Sequence, residues 1–507
     1  MNEPSAPLRS RVPWVAAALT FGVHLVANPH YGYFRDELYF IICGRHPALG
    51  YVDQPPLVPL LAAASQAFGH SLVALRAVAA LCAAASVYVT CVLAAELGGG
   101  AFAQAFAALT AAFCPVLCSF GMKLSTDTIG LWTWPLIGLE VLRLSRGADR
   151  RRWLGVGALL GVTLEAKYSV IYFAVALLVG LVCTRERRIL RNAWFAAGVG
   201  IAVMLALPNF AWQARHGFPM LELLRNGQAG KNVILSPAAY LEAELLITNP
   251  ILALAWLAGL AWLAMRPTTR FLALAFGVLI AAMIASHAKH YYPADAYPVL
   301  FAAGGVAVER FTRARVWLRP VLTTIAAGAG IVLVPYVLPV LPIDAFLRYH
   351  RAMAPVLHAE ATRTEHAPAT ALPQDWADMR GWPELADAVG RTVASLPAAE
   401  RARVAIVASN YGEAAAIDFF GERYHLPPVL SRHNQYFLWG TRGFDGDVLV
   451  DVHGDCGAEA HLFRSSVEAA VVATPLAMPW ENPTRILICR GIARPLSQIW
   501  PSIKMYY

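Results

Sequence analysis

The sequence predicts a polytopic α-helical membrane protein of about eleven or more transmembrane helices, with a C-terminal extracytoplasmic α/β domain. Three observations carry this. The 507 residues are 58% hydrophobic and 15% charged, with a mean hydropathy of +0.50, too apolar for a water-soluble chain of this length. Several charge-free stretches reach the roughly 20 residues a helix needs to cross a bilayer, and they lack the alternation of an outer-membrane strand. After about residue 342, charged residues return and apolar runs shorten to strand length.

In chain order, Arg9 and Arg11 precede an apolar run at 13–29 without a convincing small-residue cleavage site, so it reads as an uncleaved first helix. Further spans fall near 71–97, 101–120, 127–143, 153–167, 169–184, 193–212, 241–264, 271–287, 291–309 and 320–341. The arginine clusters at 143–152, 185–191, 266–270 and 310–319 then all fall on the N-terminal side, as the positive-inside rule requires. The +8 net charge is therefore topological and implies no nucleic-acid partner. Because both flanks of 153–184 are Arg-rich, this segment is a hairpin of two short helices. Its turn, Glu165-Ala166-Lys167-Tyr168, belongs below the outer surface, in protein or a wet cavity.

The domains expected are 1–341, a transmembrane catalytic region with a first outer loop at 30–70, and 342–507, a soluble α/β domain. In the latter, runs at Val404–Ala408, Val448–Val452, Ala469–Ala473 and Ile486–Cys489 read as strands, and Pro383–Leu396 and Glu413–Phe420 as helices. Cys456 and Cys489 form a disulfide or remain free thiols, both being open. Trp376, Trp382 and Trp439 are a sugar-stacking surface or core residues. Asn410-Tyr411-Gly412-Glu413, at the end of an apolar run, is a substrate-contacting loop or a strand-to-helix turn needing glycine. No partner can be named for Asp375 and Asp378.

Ionisable residues other than the arginines collect on the predicted outer side. The first loop carries Tyr33-Phe34-Arg35-Asp36-Glu37-Leu38-Tyr39 and Gly50-Tyr51-Val52-Asp53-Gln54-Pro55-Pro56, with Asp36–Arg45 as a short interfacial helix. Asp36 and Glu37 point about 100° apart on a helix, so at most one need face a substrate. The second turn is Lys123-Leu124-Ser125-Thr126-Asp127, where Ser125 or Thr126 caps the next helix. A later turn is His287-Ala288-Lys289-His290-Tyr291-Tyr292-Pro293. Only five lysines stand among 41 basic residues, and Lys123, Lys167, Lys231 and Lys289 all fall in outer turns. An ammonium is a compact partner for phosphate. The acids and lysines together suit sugar transfer from a lipid phosphate, a carboxylate acting as base and cations countering the leaving group. His287 and His290, three residues apart, are candidates for a divalent metal, and no other cofactor is called for.

On these motifs the chain resembles the bacterial branch of glycosyltransferase family 39. These polytopic C-type enzymes are similar to protein O-mannosyltransferases and the lipid A aminoarabinose transferase. The segments Tyr33–Tyr39 and Gly50–Leu57, Ser125–Asp127, Lys289–Pro293, Asn410–Ala414 and His433–Gly440 carry the resemblance. It implies inverting transfer from a polyprenyl-phosphate-linked donor at the outer face of a bacterial inner membrane. Asp36 is then the general base, and Asp127 the second acidic catalytic residue, which positions the acceptor or the base. Glu37, Asp53, Lys123, Lys167, Lys289, His290, Tyr291 and Tyr292 are the expected substrate-binding set, the lysines resting on topology. The acceptor, whether a glycolipid, another envelope glycan or a protein, stays open. A transporter or flippase of a lipid-linked sugar is the alternative. It fits less well with acids confined to one face and no internal repeat. A scaffold would leave those acids and lysines unexplained.

Overall fold

The computed structural model describes residues 10–353, 365–366, 370–457 and 462–507; Arg9 lies outside them. The chain divides into two compact units. Unit 1 is Met1–His30, Val73–Ala211 and Asn232–Glu365; unit 2 is Tyr31–Leu72, Trp212–Lys231 and His366–Tyr507. The first loop thus belongs with the C-terminal residues. This division differs from the single boundary expected at 341/342 in grouping the loop with the C-terminal residues, because the loop's apolar helix Arg35–Arg45 packs on Tyr411–Phe420.

Unit 1 is helical, and each apolar run read as a span is a helix or a bent pair. Leu72–Glu96, Ala193–Arg215 and Leu318–Val337 are by themselves long and apolar enough to cross a membrane. Among the described residues the number rises to five if each of two bent pairs is counted as one span: Ala101–Ala112 with Pro115–Met122, and Pro237–Ile247 with Pro250–Ala264. The second pair bends by 107° because Thr248 and Asn249 interrupt it. Asn249 takes φ 68°, and its side chain caps Ile251 N at 3.0 Å ahead of Pro250 at the new helix start. Val12–Ala27, Arg152–Leu164, Val170–Val182 and Arg270–Ala285 are shorter apolar helices. Helices 250–264 and 297–311 pack on glycine: an added Cβ at Gly259 would lie 2.0 Å from Leu300 O, and one at Gly304 2.2 Å from Ala255 O.

Unit 2 centres on a five-stranded sheet: β1 Ala405–Ala408, β2 Leu430–Ser431, β3 Val448–Val452, β4 Phe463–Val472 and β5 Thr484–Ile492, in the order β2-β1-β3-β5-β4. β1 pairs in parallel with β2 and β3, whereas β5 runs antiparallel to β3 and β4. All five residues of β3 are buried, as a central strand requires, and β4 is largely exposed, as an edge strand can be. The two-residue β2 is too short to give a sequence pattern. Cys456 and Cys489 are joined in a disulfide, tying the turn after β3 to β5.

Helix Arg35–Arg45 is not interfacial. Glu37 through Gly44 are all buried, and the helix packs against Leu57–Ser65 and Tyr411–Phe420, because its Leu38–Cys43 run is apolar on every side. Trp376 and Trp382 are also core residues, 0% and 2% exposed. Only half-buried Trp439 keeps an accessible ring, so the three tryptophans form no common stacking surface.

Candidate active site

In unit 2, helix Arg35–Arg45 presents Asp36 in its first turn. Asp36 Oδ1 accepts from Tyr411 OH at 2.8 Å and Arg35 Nε at 3.3 Å. Oδ2 has no hydrogen-bond partner among the described residues, and the side chain is 34% exposed. Arg35 also faces buried Asp378 at 3.8 Å, the partner the sequence did not name. Burial pushes the Asp378 carboxyl up to about 6, against the pull of Arg35. The stem of Arg35 lies over Gly412, where an added Cβ would fall 2.3 Å from Arg35 Cγ. Close approach, and not a left-handed backbone, is thus what this glycine allows.

Both Asp53 oxygens are taken: Oδ1 accepts from Tyr39 OH at 2.9 Å and Oδ2 from Asn434 Nδ2 at 3.0 Å. Burial raises its pKa to about 6. Glu37 is fully buried and its Oε2 accepts from Phe34 N at 2.9 Å. It closes the capping box of its helix, so this expected substrate ligand is turned inward as a cap.

In unit 1, Lys167 stands in the turn between Arg152–Leu164 and Val170–Val182 and pairs with Asp127. Its Nζ lies 4.1 Å from the centroid of the Tyr292 ring and 5.3 Å from that of Tyr291. Asp295, in the turn that follows these tyrosines, is buried with Oδ1 lacking a hydrogen-bond partner among the described residues. Gly130 makes room for it, since an added Cβ would meet Asp295 Oδ2 at 1.8 Å. The helix after Asp127 begins at Gly130, not at Ser125 or Thr126. Ser125 Oγ instead accepts from Asp127 N at 3.3 Å, a local turn that replaces the expected cap.

Residues 53–212 match the family model of dolichyl-phosphate-mannose-protein mannosyltransferases. Among solved structures, the chain is similar to ArnT from Cupriavidus metallidurans, with a TM-score of 0.59 to the apo form and 0.58 to the form bound to undecaprenyl phosphate. Each shares 15% identity, over 94% of this chain and 97% of that one. The chain has a C-type glycosyltransferase fold. No curated protein sequence matches it.

On this fold, Asp127, Lys167, Tyr291 and Tyr292 come together in unit 1, and Asp36 and Asp53 lie in unit 2. Lys289 instead pairs with Glu365 at 2.7 Å, so its charge is already countered. His290 is buried and His287 exposed in a turn at φ 51°. Neither joins a group of three potential metal ligands among the described residues, and the weak metal assignment loses its basis. Lys123 is buried at the end of Pro115–Met122. The sequence reading missed Asp295, and it marked the segments holding Tyr411 and Asn434 without giving either residue a contact to the first loop. Asp295 lies two residues beyond the Lys289–Pro293 motif, an acid in an otherwise apolar stretch, which is a usable cue. The contacts of Tyr411 and Asn434 to the first loop span more than 370 positions, so their motifs were visible but their partners were not.

Proposed function

We propose that the protein is a membrane glycosyltransferase that moves a sugar, with inversion, from a polyprenyl-phosphate donor to an envelope acceptor at the outer face of a bacterial inner membrane. Eleven crossings would put the C-terminal region on that face. One observation in unit 1 carries the reading. The two short helices flanking the Lys167 turn border an apolar cavity of about 430 Å³, lined by Trp153, Leu160, Leu164, Val170, Ile171 and Phe210 among others. Leu164 and Val170 flank the turn itself. A hydrocarbon groove reaching the flanks of an ammonium turn matches a lipid with a phosphate head. ArnT, similar in fold, is bound to undecaprenyl phosphate, and a lipid of that class is assigned to this groove.

In the proposed reaction Asp36 takes the proton of the acceptor hydroxyl through its open Oδ2. The oxygen attacks the anomeric carbon, and the bond from that carbon to the phosphate oxygen breaks. Lys167 counters the charge gathering on the departing phosphate, while Asp127 holds Lys167 in place. Lys123 and His290 are kept as further substrate contacts. The purified protein in lipid nanodiscs, given a polyprenyl-phosphate sugar labelled in the sugar, should release polyprenyl phosphate and label an envelope acceptor extract. Movement of intact donor across liposomes without cleavage would establish the transporter instead.

A further inference from the structure

One cluster of buried charge in unit 2 lies outside the proposed reaction. Glu413 is in the first turn of helix Tyr411–Phe420, His453 directly follows β3, and Glu481 ends the short helical turn Pro479–Glu481. A side-chain oxygen or nitrogen from each lies within 4.8 Å of the other two. Glu413 and Glu481 are 0% and 6% exposed, whereas the His453 side chain is 30% exposed and leaves an entry from solvent. His453 Nδ1 lies 2.9 Å from Glu413 Oε1. Glu413 Oε2 accepts from Ser409 N at 3.0 Å and Asn410 N at 3.4 Å, and Glu481 Oε1 accepts from Asn410 Nδ2 at 3.1 Å. Glu481 Oε2 is buried with no hydrogen-bond partner among the described residues.

Two buried carboxylates this close cannot both stay charged alone: they share a proton or hold a cation. A shared proton needs no third group. An imidazole nitrogen brought to the same point, beside an unsatisfied carboxylate oxygen, is what cation binding requires. We propose that Glu413, His453 and Glu481 bind one divalent transition-metal ion, Zn²⁺ or Mn²⁺. The mixed nitrogen and oxygen set favours these over Mg²⁺ or Ca²⁺, which take all-oxygen shells. Binding displaces the shared proton, and two carboxylates with one M²⁺ form a neutral site suited to burial. The ion staples three segments of unit 2 and fixes the helix start that carries Tyr411, the donor to Asp36.

The test uses the full-length protein in detergent, stripped with EDTA, titrated with ZnCl₂ or MnCl₂, desalted and assayed by elemental mass spectrometry. One ion per chain is expected for one of these metals, with a raised unfolding midpoint. His453→Gln and Glu481→Gln should each weaken binding at least about tenfold and abolish the midpoint shift. Should Glu481→Gln fail to fold, His453→Gln, at the accessible edge, carries the test. A wild-type chain that retains neither metal, or a folded variant that binds as tightly as wild type, overturns the proposal. These readouts do not depend on sugar transfer.

Discussion

In unit 2 the first-loop carboxylates are held mainly by neutral donors, Tyr411 on Asp36 and Tyr39 with Asn434 on Asp53. In unit 1 Asp127 is held by a cation, and that cation is covered by the rings of Tyr291 and Tyr292. The chemistry differs accordingly. A carboxylate bonded through one oxygen to a hydroxyl keeps its other oxygen for a proton, the role proposed for Asp36. A carboxylate paired with an ammonium lends its charge to positioning that ammonium, so in the proposed reaction Asp127 acts through Lys167. The two acids that the sequence put side by side as catalytic are thus assigned a base and a positioning role.

The largest effect should come from Asp36→Asn, which keeps the Tyr411 contact but removes the base. We expect transfer to fall by about 10²–10⁴-fold, the usual share of a general base, with an unchanged unfolding midpoint. Turnover near wild type would take Asp36 out of the reaction. Next is Lys167→Met, expected to raise the donor KM by about 10–100-fold with little change in acceptor KM, as loss of a charge-assisted phosphate contact implies. It also strands a buried Asp127, at a cost of about 3–5 kcal/mol. Adding Asp127→Asn should recover the midpoint but not the donor KM. Recovery of both would make the pair purely structural.

The helices of unit 1 were legible because an apolar run of membrane length permits little but a helix. Their breaks were less so: the bend at Asn249 comes from one left-handed residue and one cap, which hydropathy averages away. Among the candidate residues, Asp36 in unit 2 and Asp127 and Lys167 in unit 1 were legible as charges on the predicted outer face, where charge is costly, and the two tyrosines through the Lys289–Pro293 motif. The role of Glu37 was not, since neighbours one position apart look equally exposed until the helix is buried. Nor was the interior placement of Arg35–Arg45: its partner, Tyr411–Phe420, lies far along the chain, and local pattern cannot tell protein burial from a membrane surface.

The burial of Asp53 has a consequence that pH can test. Burial raises Asp53 from its ordinary 3.8 to about 6. The folded protein then holds a proton that the unfolded chain releases between those values. The stability this group contributes is full below about pH 4 and lost as pH rises through about 6. Asp53→Asn should flatten that fall, so its midpoint relative to wild type climbs from pH 4 to pH 7. A difference independent of pH would show that Asp53 does not titrate in this window.

The smallest change tests whether the Asp36 environment is set from across unit 2. In Gly412→Ala the new Cβ would lie 2.3 Å from Arg35 Cγ and 2.6 Å from Cδ, so the arginine stem must move. Overpacking of this kind costs about 1–3 kcal/mol. The better helix propensity of alanine, about 1 kcal/mol in a helix interior, offsets part of it at most, because residue 412 sits in the first turn. The displaced guanidinium gives up its 3.3 Å contact to Asp36 and its 3.8 Å contact to Asp378. A slightly lower unfolding midpoint and a several-fold fall in kcat are expected, with donor KM unchanged because Lys167 is untouched. Arg35→Ala separates packing from charge. If the clash is the cause of the lower midpoint, Gly412→Ala should cost nothing further in that background, whereas a full additive loss would place the strain within helix Tyr411–Phe420 itself.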